Sequence, residues 1–284
     1  MSAPAKMKKL PVVILAGLVT AVAGFFAREA MRRARDVPIT DASQFPAHGV
    51  FAPPVQDGDA VFFVGNSLLG WEGRSLPEWV AALGMSLQPP LRLEVGADIV
   101  FGNAPLADFL GHAAVQEALA SRRYKVFVLQ GEECEAVDDE AGFHQAVRDF
   151  HAAAAAAGAS TVLFMTWEMP WRGFLRSVAS SYEAIARELQ IPVIPVGLVH
   201  WRCDQQPPTP RPPFWLTSGP ANPEGGPHPN AMGAAVNAYA VFQALTGIDP
   251  KGVNFAAPGN DNDGELMRYF SDMAWKEISP RLRR

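Results

Sequence analysis

Apolar and polar positions alternate between two spacings along most of this chain. Short runs rich in Val, Leu, Phe and Ile occur at 60–64, 91–95, 125–130, 161–166 and 192–196. Runs of that length and composition predict strands covered on both faces. Between and after them lie stretches with apolar residues at helical spacing, at 76–83, 106–120, 140–157, 174–189, 231–245 and 265–278. Strand–helix alternation of this kind predicts an α/β body with a parallel sheet of about five strands and helices on both faces. Residues 202–227 break the rhythm. Gln205-Gln206-Pro207-Pro208-Thr209-Pro210-Arg211-Pro212-Pro213 suits neither a helix nor a central strand, and the segment is expected to be a long loop.

A different pattern opens the chain. Residues 10–27 are uncharged and apolar, preceded by Lys6, Lys8 and Lys9 and followed by Arg28, Arg32, Arg33 and Arg35. The run reads either as a signal peptide, cleaved after Ala21-Val22-Ala23, or as an uncleaved membrane anchor. The body is expected outside the cytoplasm, exported or anchored in the inner membrane; for an uncleaved anchor the basic residues on both sides of the run leave the orientation open. Residues 36–58, rich in Pro, Ala, Asp and Gly, read as a linker. The expected organisation is therefore a membrane or signal segment at 1–35, a linker at 36–58 and one folded domain at 59–284.

Composition narrows the function. Of 284 residues, 49% are hydrophobic and 19% charged, which suits one sizeable core and excludes a disordered chain. The net charge of −5 supplies no basic surplus to neutralise a phosphate backbone, which argues against nucleic acid as a partner. The two cysteines, Cys134 and Cys203, define no metal cluster; they either pair in an oxidising compartment or serve as small buried hydrophobes. Gly65-Asn66-Ser67-Leu68-Leu69-Gly70 lacks the Gly-x-Gly spacing of a dinucleotide loop, and no cluster has metal-ligand spacing. A site without metal or cofactor is expected.

Two stretches bear chemistry. Val61-Phe62-Phe63-Val64-Gly65-Asn66-Ser67 is a buried strand ending in a tight turn with a hydroxyl, and ligands of open parallel sheets gather at such strand ends. Ser67 reads equally well as a helix cap. His228, in His228-Pro229-Asn230-Ala231-Met232-Gly233, stands just before a helix. An imidazole is the group whose ordinary pKa suits a base for a serine nucleophile. His48, His112, His144, His151 and His200 have no comparable setting.

Gly65-Asn66-Ser67 near the start of the body, with His228-Pro229-Asn230 near its end, resembles the SGNH/GDSL hydrolase superfamily over residues 59–247. The resemblance implies a flavodoxin-like three-layer α/β/α fold and acyl transfer by serine and histidine. It implies Ser67 as nucleophile, His228 as base, and an oxyanion hole built from Ser67, Gly102 and Gln130. Gly96 competes with Gly102 for the glycine position, and Gln130 stands where the family has asparagine. The family's aspartate three residues before the histidine is Gly225 here. Glu224, one residue away, is the first candidate to orient His228, with Glu168 and Glu133 behind it; a backbone carbonyl would leave a Ser–His dyad. Trp71, Trp167, Trp171, Trp201 and Trp215 fall near the expected mouth, where indoles stack on sugars or line an acyl pocket; ordinary packing is the competing reading. Trp167 is the best placed of them. The expected substrate is a small ester or an acylated carbohydrate, with lipid-ester or thioester hydrolysis and a non-catalytic polysaccharide- or protein-binding domain as alternatives.

Overall fold

The computed structural model describes residues 39, 41–102, 104–167, 173–211, 215–217 and 228–283. The apolar run at 10–27 lies outside the described residues. Among the described residues, no helix is long and apolar enough to cross a membrane.

The body is built on a five-stranded sheet of β1 (Ala60–Asn66), β4 (Glu94–Val100), β5 (Val126–Leu129), β6 (Ser160–Phe164) and β7 (Val193–Ile194). Its order is β4-β1-β5-β6-β7, and every pairing is parallel. A small antiparallel hairpin, β2 (Gly70–Trp71) with β3 (Arg74–Ser75), comes directly after β1. The helices are α1 (Leu76–Met85), α2 (Leu106–Phe109), α3 (Ala113–Ser121), α4 (Glu135–Asp138), α5 (Glu140–Ala156), α6 (Leu175–Leu189), α7 (Val196–Gln205), α8 (Ala231–Thr246) and α9 (Gly264–Ile278).

The two-residue period of the strands divides the core. Val61, Phe63, Val126, Val128, Val162 and Phe164 face one way and pack with α1, α7, α8 and α9. Phe62, Val64, Phe127, Leu129, Leu163 and Met165 face the other way and pack with α3, α5 and α6. Helices on both faces make three layers, as expected. Helix α8 is buried at every residue from Gly233 to Leu245, so whatever its N-terminus holds is held firmly. The chain runs out from β1 to β4 on one side and returns to β5 on the other. That reversal makes the C-terminal ends of β1 and β5 the switch point, where open sheets form their ligand crevice.

Several boundaries differ from expectation. The strand expected at 91–95 runs instead over Glu94–Val100. As the sheet's edge it is only half covered and admits Glu94 and Asp98, so it lacks the continuous apolar run of a central strand. The helix expected at 106–120 divides at Leu110, Gly111 and His112 into α2 and α3. The last strand is cut to Val193–Ile194 by Pro195, after which α7 extends to Gln205, into the expected loop. The 39–58 stretch packs on the body: Phe51 bridges Leu282, and buried Val55 donates to the Leu245 carbonyl at 3.1 Å. Cys134 and Cys203 form no disulfide; they belong to the cores on opposite faces of the sheet.

Candidate active site

Ser67 leaves the end of β1 in a single 3-10 turn, Ser67–Leu69, capped by the Asn66 side chain, which accepts from the Leu68 N–H at 2.9 Å. Such a cap contributes about 1 kcal/mol to the turn. Ser67 is thus both in a capped turn and at the sheet mouth. Its Oγ lies 2.9 Å from His228 Nε2, although the two residues are 161 positions apart. Both Ser67 and Asn66 are buried, and His228 is half-buried.

His228 is anchored through its neighbours on the C-terminal side. The Asn230 side chain caps α8 through the Gly233 N–H at 3.0 Å and donates to the Trp215 and Thr217 carbonyls, each at 3.2 Å. The Pro229–Thr217 bridge ties the same two segments together. One face of the imidazole is covered by Trp71, with ring centroids 3.6 Å apart and planes 7° apart. Trp71 stands on the β2–β3 hairpin, whose two turn residues, Glu72 (φ 51°) and Gly73 (φ 77°), both adopt the left-handed conformation that tight hairpins prefer. Its indole Nε1 is buried and has no hydrogen-bond partner among the described residues. Beyond it Phe101, 67% exposed, stands 6.3 Å away.

Gln130 comes directly after β5 and is buried against the Ser67 turn. Its Oε1 accepts the Asn66 N–H at 2.8 Å, and its Nε2 donates to the Gly131 carbonyl. Since a backbone N–H only donates, Oε1 is the atom that must face Asn66. The side chain therefore braces the ends of β1 and β5, with at most one N–H left for a ligand. This contact explains Gly65: a Cβ there would collide with Gln130 Oε1 and Leu69.

Gly102 lies just past β4, with φ +116°, a conformation that glycine alone adopts easily. Val100 pairs in register with Asn66, so the Phe101–Gly102 turn leaves the sheet beside Ser67. The competing Gly96 pairs with Phe62 in mid-strand, under Tyr124, away from the mouth.

Glu224, Glu168 and Trp171 lie outside the described residues. Glu133 is described, and its carboxyl is pushed up to about 7, by burial first and by the neighbouring Glu132 second. A carboxylate that the sequence pattern does not single out is Glu135, buried behind the mouth. It accepts the Leu106 N–H with both oxygens, at 3.1 and 3.0 Å, and the Glu132 N–H at 2.9 Å. Those bonds bind the loop beyond Gly102 to the loop beyond Gln130. Burial raises its pKa while the backbone bonds oppose the rise. Glu132-Glu133-Cys134-Glu135 has the composition of a solvated acidic loop, which hides this role.

The tryptophans divide. Trp71 is at the site. Trp167, expected there, is buried and stacked on His200 in the core. Trp215 packs with Tyr269 and Phe270, and Trp201 meets Phe45 edge-on. Both are ordinary packing.

An open α/β sheet with a Ser–His pair at its switch point has the architecture of a hydrolase fold. Specifically, it is the fold of the SGNH/GDSL hydrolases. An SGNH hydrolase candidate from Slackia heliotrinireducens superposes with a TM-score of 0.53 at 19% identity, covering 66% of this chain and all (100%) of that one. A protein of a family of undefined function from Bacteroides uniformis gives 0.56 at 14% identity, covering 78% and 96% of the two chains. An acetylxylan esterase from Geobacillus stearothermophilus gives 0.51 at 13% identity, covering 68% and 96%. No family profile and no curated protein sequence matches.

Proposed function

We propose that the protein is a serine hydrolase that cleaves an ester, with Ser67 as nucleophile and His228 as general base. The observation that supports this most directly is the 2.9 Å contact between Ser67 Oγ and His228 Nε2 at the sheet's switch point. In this reading Nε2 takes the hydroxyl proton as Oγ attacks the ester carbonyl. The oxygen that becomes negative is met by the backbone N–H groups of Ser67 and Gly102 and by the remaining Gln130 N–H. One such donor is worth about 3 kcal/mol of barrier. The imidazolium then gives its proton to the departing alcohol, and water, deprotonated by His228, releases the acid. Glu224 is the nearest carboxylate in sequence to replace the aspartate missing at Gly225 and steady the imidazolium.

The substrate reading is an O-acetyl group on envelope carbohydrate. It is supported by the likeness to the acetylxylan esterase fold and by the apolar run at 10–27, read as a signal peptide or anchor that would carry the body outside the cytoplasm. The glycine at 225 favours a second reading, a catalytically weak domain that binds polysaccharide or a protein partner. A fluorophosphonate serine probe separates the two. Label on wild type that disappears in Ser67→Ala and falls sharply in His228→Ala supports the hydrolase. Folded wild type that takes no label leaves the binding reading. Among labelled protein, faster turnover of acetylated sugars than of long-chain acyl esters or thioesters supports the carbohydrate substrate; the reverse order removes it.

A further inference from the structure

We infer that Trp71 is a positioning residue for His228: the indole lies flat on the imidazole and sets the plane in which Nε2 meets the Ser67 hydroxyl. This rests on the Ser67–His228 hydrolase reading. The stack is close and parallel, at 3.6 Å and 7°. An imidazole on a single bond is free to swing about that bond unless something blocks it, and a flat ring at contact distance blocks that swing on one side. Trp71 is suited to this because it belongs to the nucleophile's own segment. The turn Ser67–Leu69 passes directly into Gly70–Trp71, and the Asn66 cap and the β2–β3 pairing stiffen both ends. His228 arrives from the far end of the chain, yet the stack registers it against the same piece of backbone that holds the hydroxyl. Among the described residues the indole Nε1 has no hydrogen-bond partner, and one ring face is stacked on His228. With the face toward His228 covered, that face is unavailable to a sugar.

The test compares wild type, Trp71→Ala and Trp71→Phe in the full chain. With an activated ester, Trp71→Ala is expected to lose ~10–100-fold in kcat, the scale on which small misplacements act, with KM changed less than about twofold. Trp71→Phe, which restores a planar ring, is expected to stay within about fivefold of wild type in kcat. A raised KM at unchanged kcat in Trp71→Ala overturns the inference, because it makes the indole a substrate contact. Unchanged kinetics in both variants overturn it equally. The second readout needs no turnover. His228 ring protons lie over the indole and are expected upfield in the wild-type NMR spectrum, moving downfield in Trp71→Ala. Unmoved resonances overturn the inference even if kcat falls. If Trp71→Ala does not fold, Trp71→Phe with its smaller ring current decides by the same spectrum, and an unmoved His228 signal there overturns it. Should wild type neither label nor turn over, the hydrolase reading fails by itself, and the ring shift alone judges the stack.

Discussion

Two tryptophan–histidine stacks lie among the described residues, and they differ in everything but the stacking. Trp167 and His200 have centroids 4.6 Å apart and planes 3° apart; Trp71 and His228 stand at 3.6 Å and 7°. His200 lies in α7, 5% exposed, with Nε2 on Asn237 Oδ1 at 2.7 Å. Burial pushes its pKa down to about 4, against the opposing Asn237 bond, so it is neutral at physiological pH. His228 is half-buried at the sheet mouth, with Nε2 on a hydroxyl. A stack holds an imidazole still. What the imidazole can do depends on the partner of its nitrogen and on whether another molecule reaches it.

Exchanging the losses tests that division. His228→Ala is expected to reduce ester kcat/KM by ~10⁴-fold or more, the scale of losing a triad base. Its melting temperature should stay within about 3 °C of wild type, because the residue is only half-buried. His200→Ala is expected to do the opposite, losing about 2–4 kcal/mol of stability by opening a cavity under Trp167, with folded protein still active. Ester kinetics and denaturant melts on both variants read this directly. An inactive but stable His200→Ala would erase the distinction between the two stacks.

The acid response gives a smaller effect of definite sign. His200 has a folded pKa near 4, below the ordinary histidine value of about 6.5, so between those values the unfolded chain binds more protons. The stability it confers is complete above about pH 6.5 and is lost as pH falls toward 4, on the order of 3 kcal/mol. Urea melts from pH 7 to pH 4 on wild type and His200→Ala measure it, the variant being expected to show a shallower decline. Parallel declines would assign the acid sensitivity to other groups.

The legibility of these features in the sequence has physical causes. Ser67 is visible because a buried β1 must end in a turn, and Gly65-Asn66-Ser67 has the residues for one. His228 is visible because Pro229 and Asn230 announce a helix start. The central strands are legible as apolar runs, whereas edge strand β4, holding Glu94 and Asp98, lies three residues later than its apolar run suggests. Partner identity is not legible. Trp167 comes after β6 as if at the mouth, yet the chain turns it inward onto α7; Trp71 meets His228 only because the β2–β3 hairpin folds back. Glu135 is hidden because its ligands are backbone N–H groups, which no residue pattern displays.

The smallest effect isolates the nitrogen's partner from the stack. Asn237→Ala removes the acceptor of His200 and strands a buried N–H, which alone costs about 1–3 kcal/mol. The same substitution also deletes Asn237 Nδ2, itself buried without a partner among the described residues. The two changes oppose one another, so a net loss of about 1 kcal/mol is expected, with ester hydrolysis unchanged. The Asn237 bond favours the charged form of His200, so its loss lowers the His200 pKa further. The lower end of the acid window should therefore extend below pH 4 in Asn237→Ala, where wild type has already levelled off. Urea melts at pH 7 and in half-unit steps below pH 5 read both quantities. An acid window that moved upward would mean that Asn237 holds His200 neutral rather than easing its protonation, and the contrast with Ser67 would need another basis.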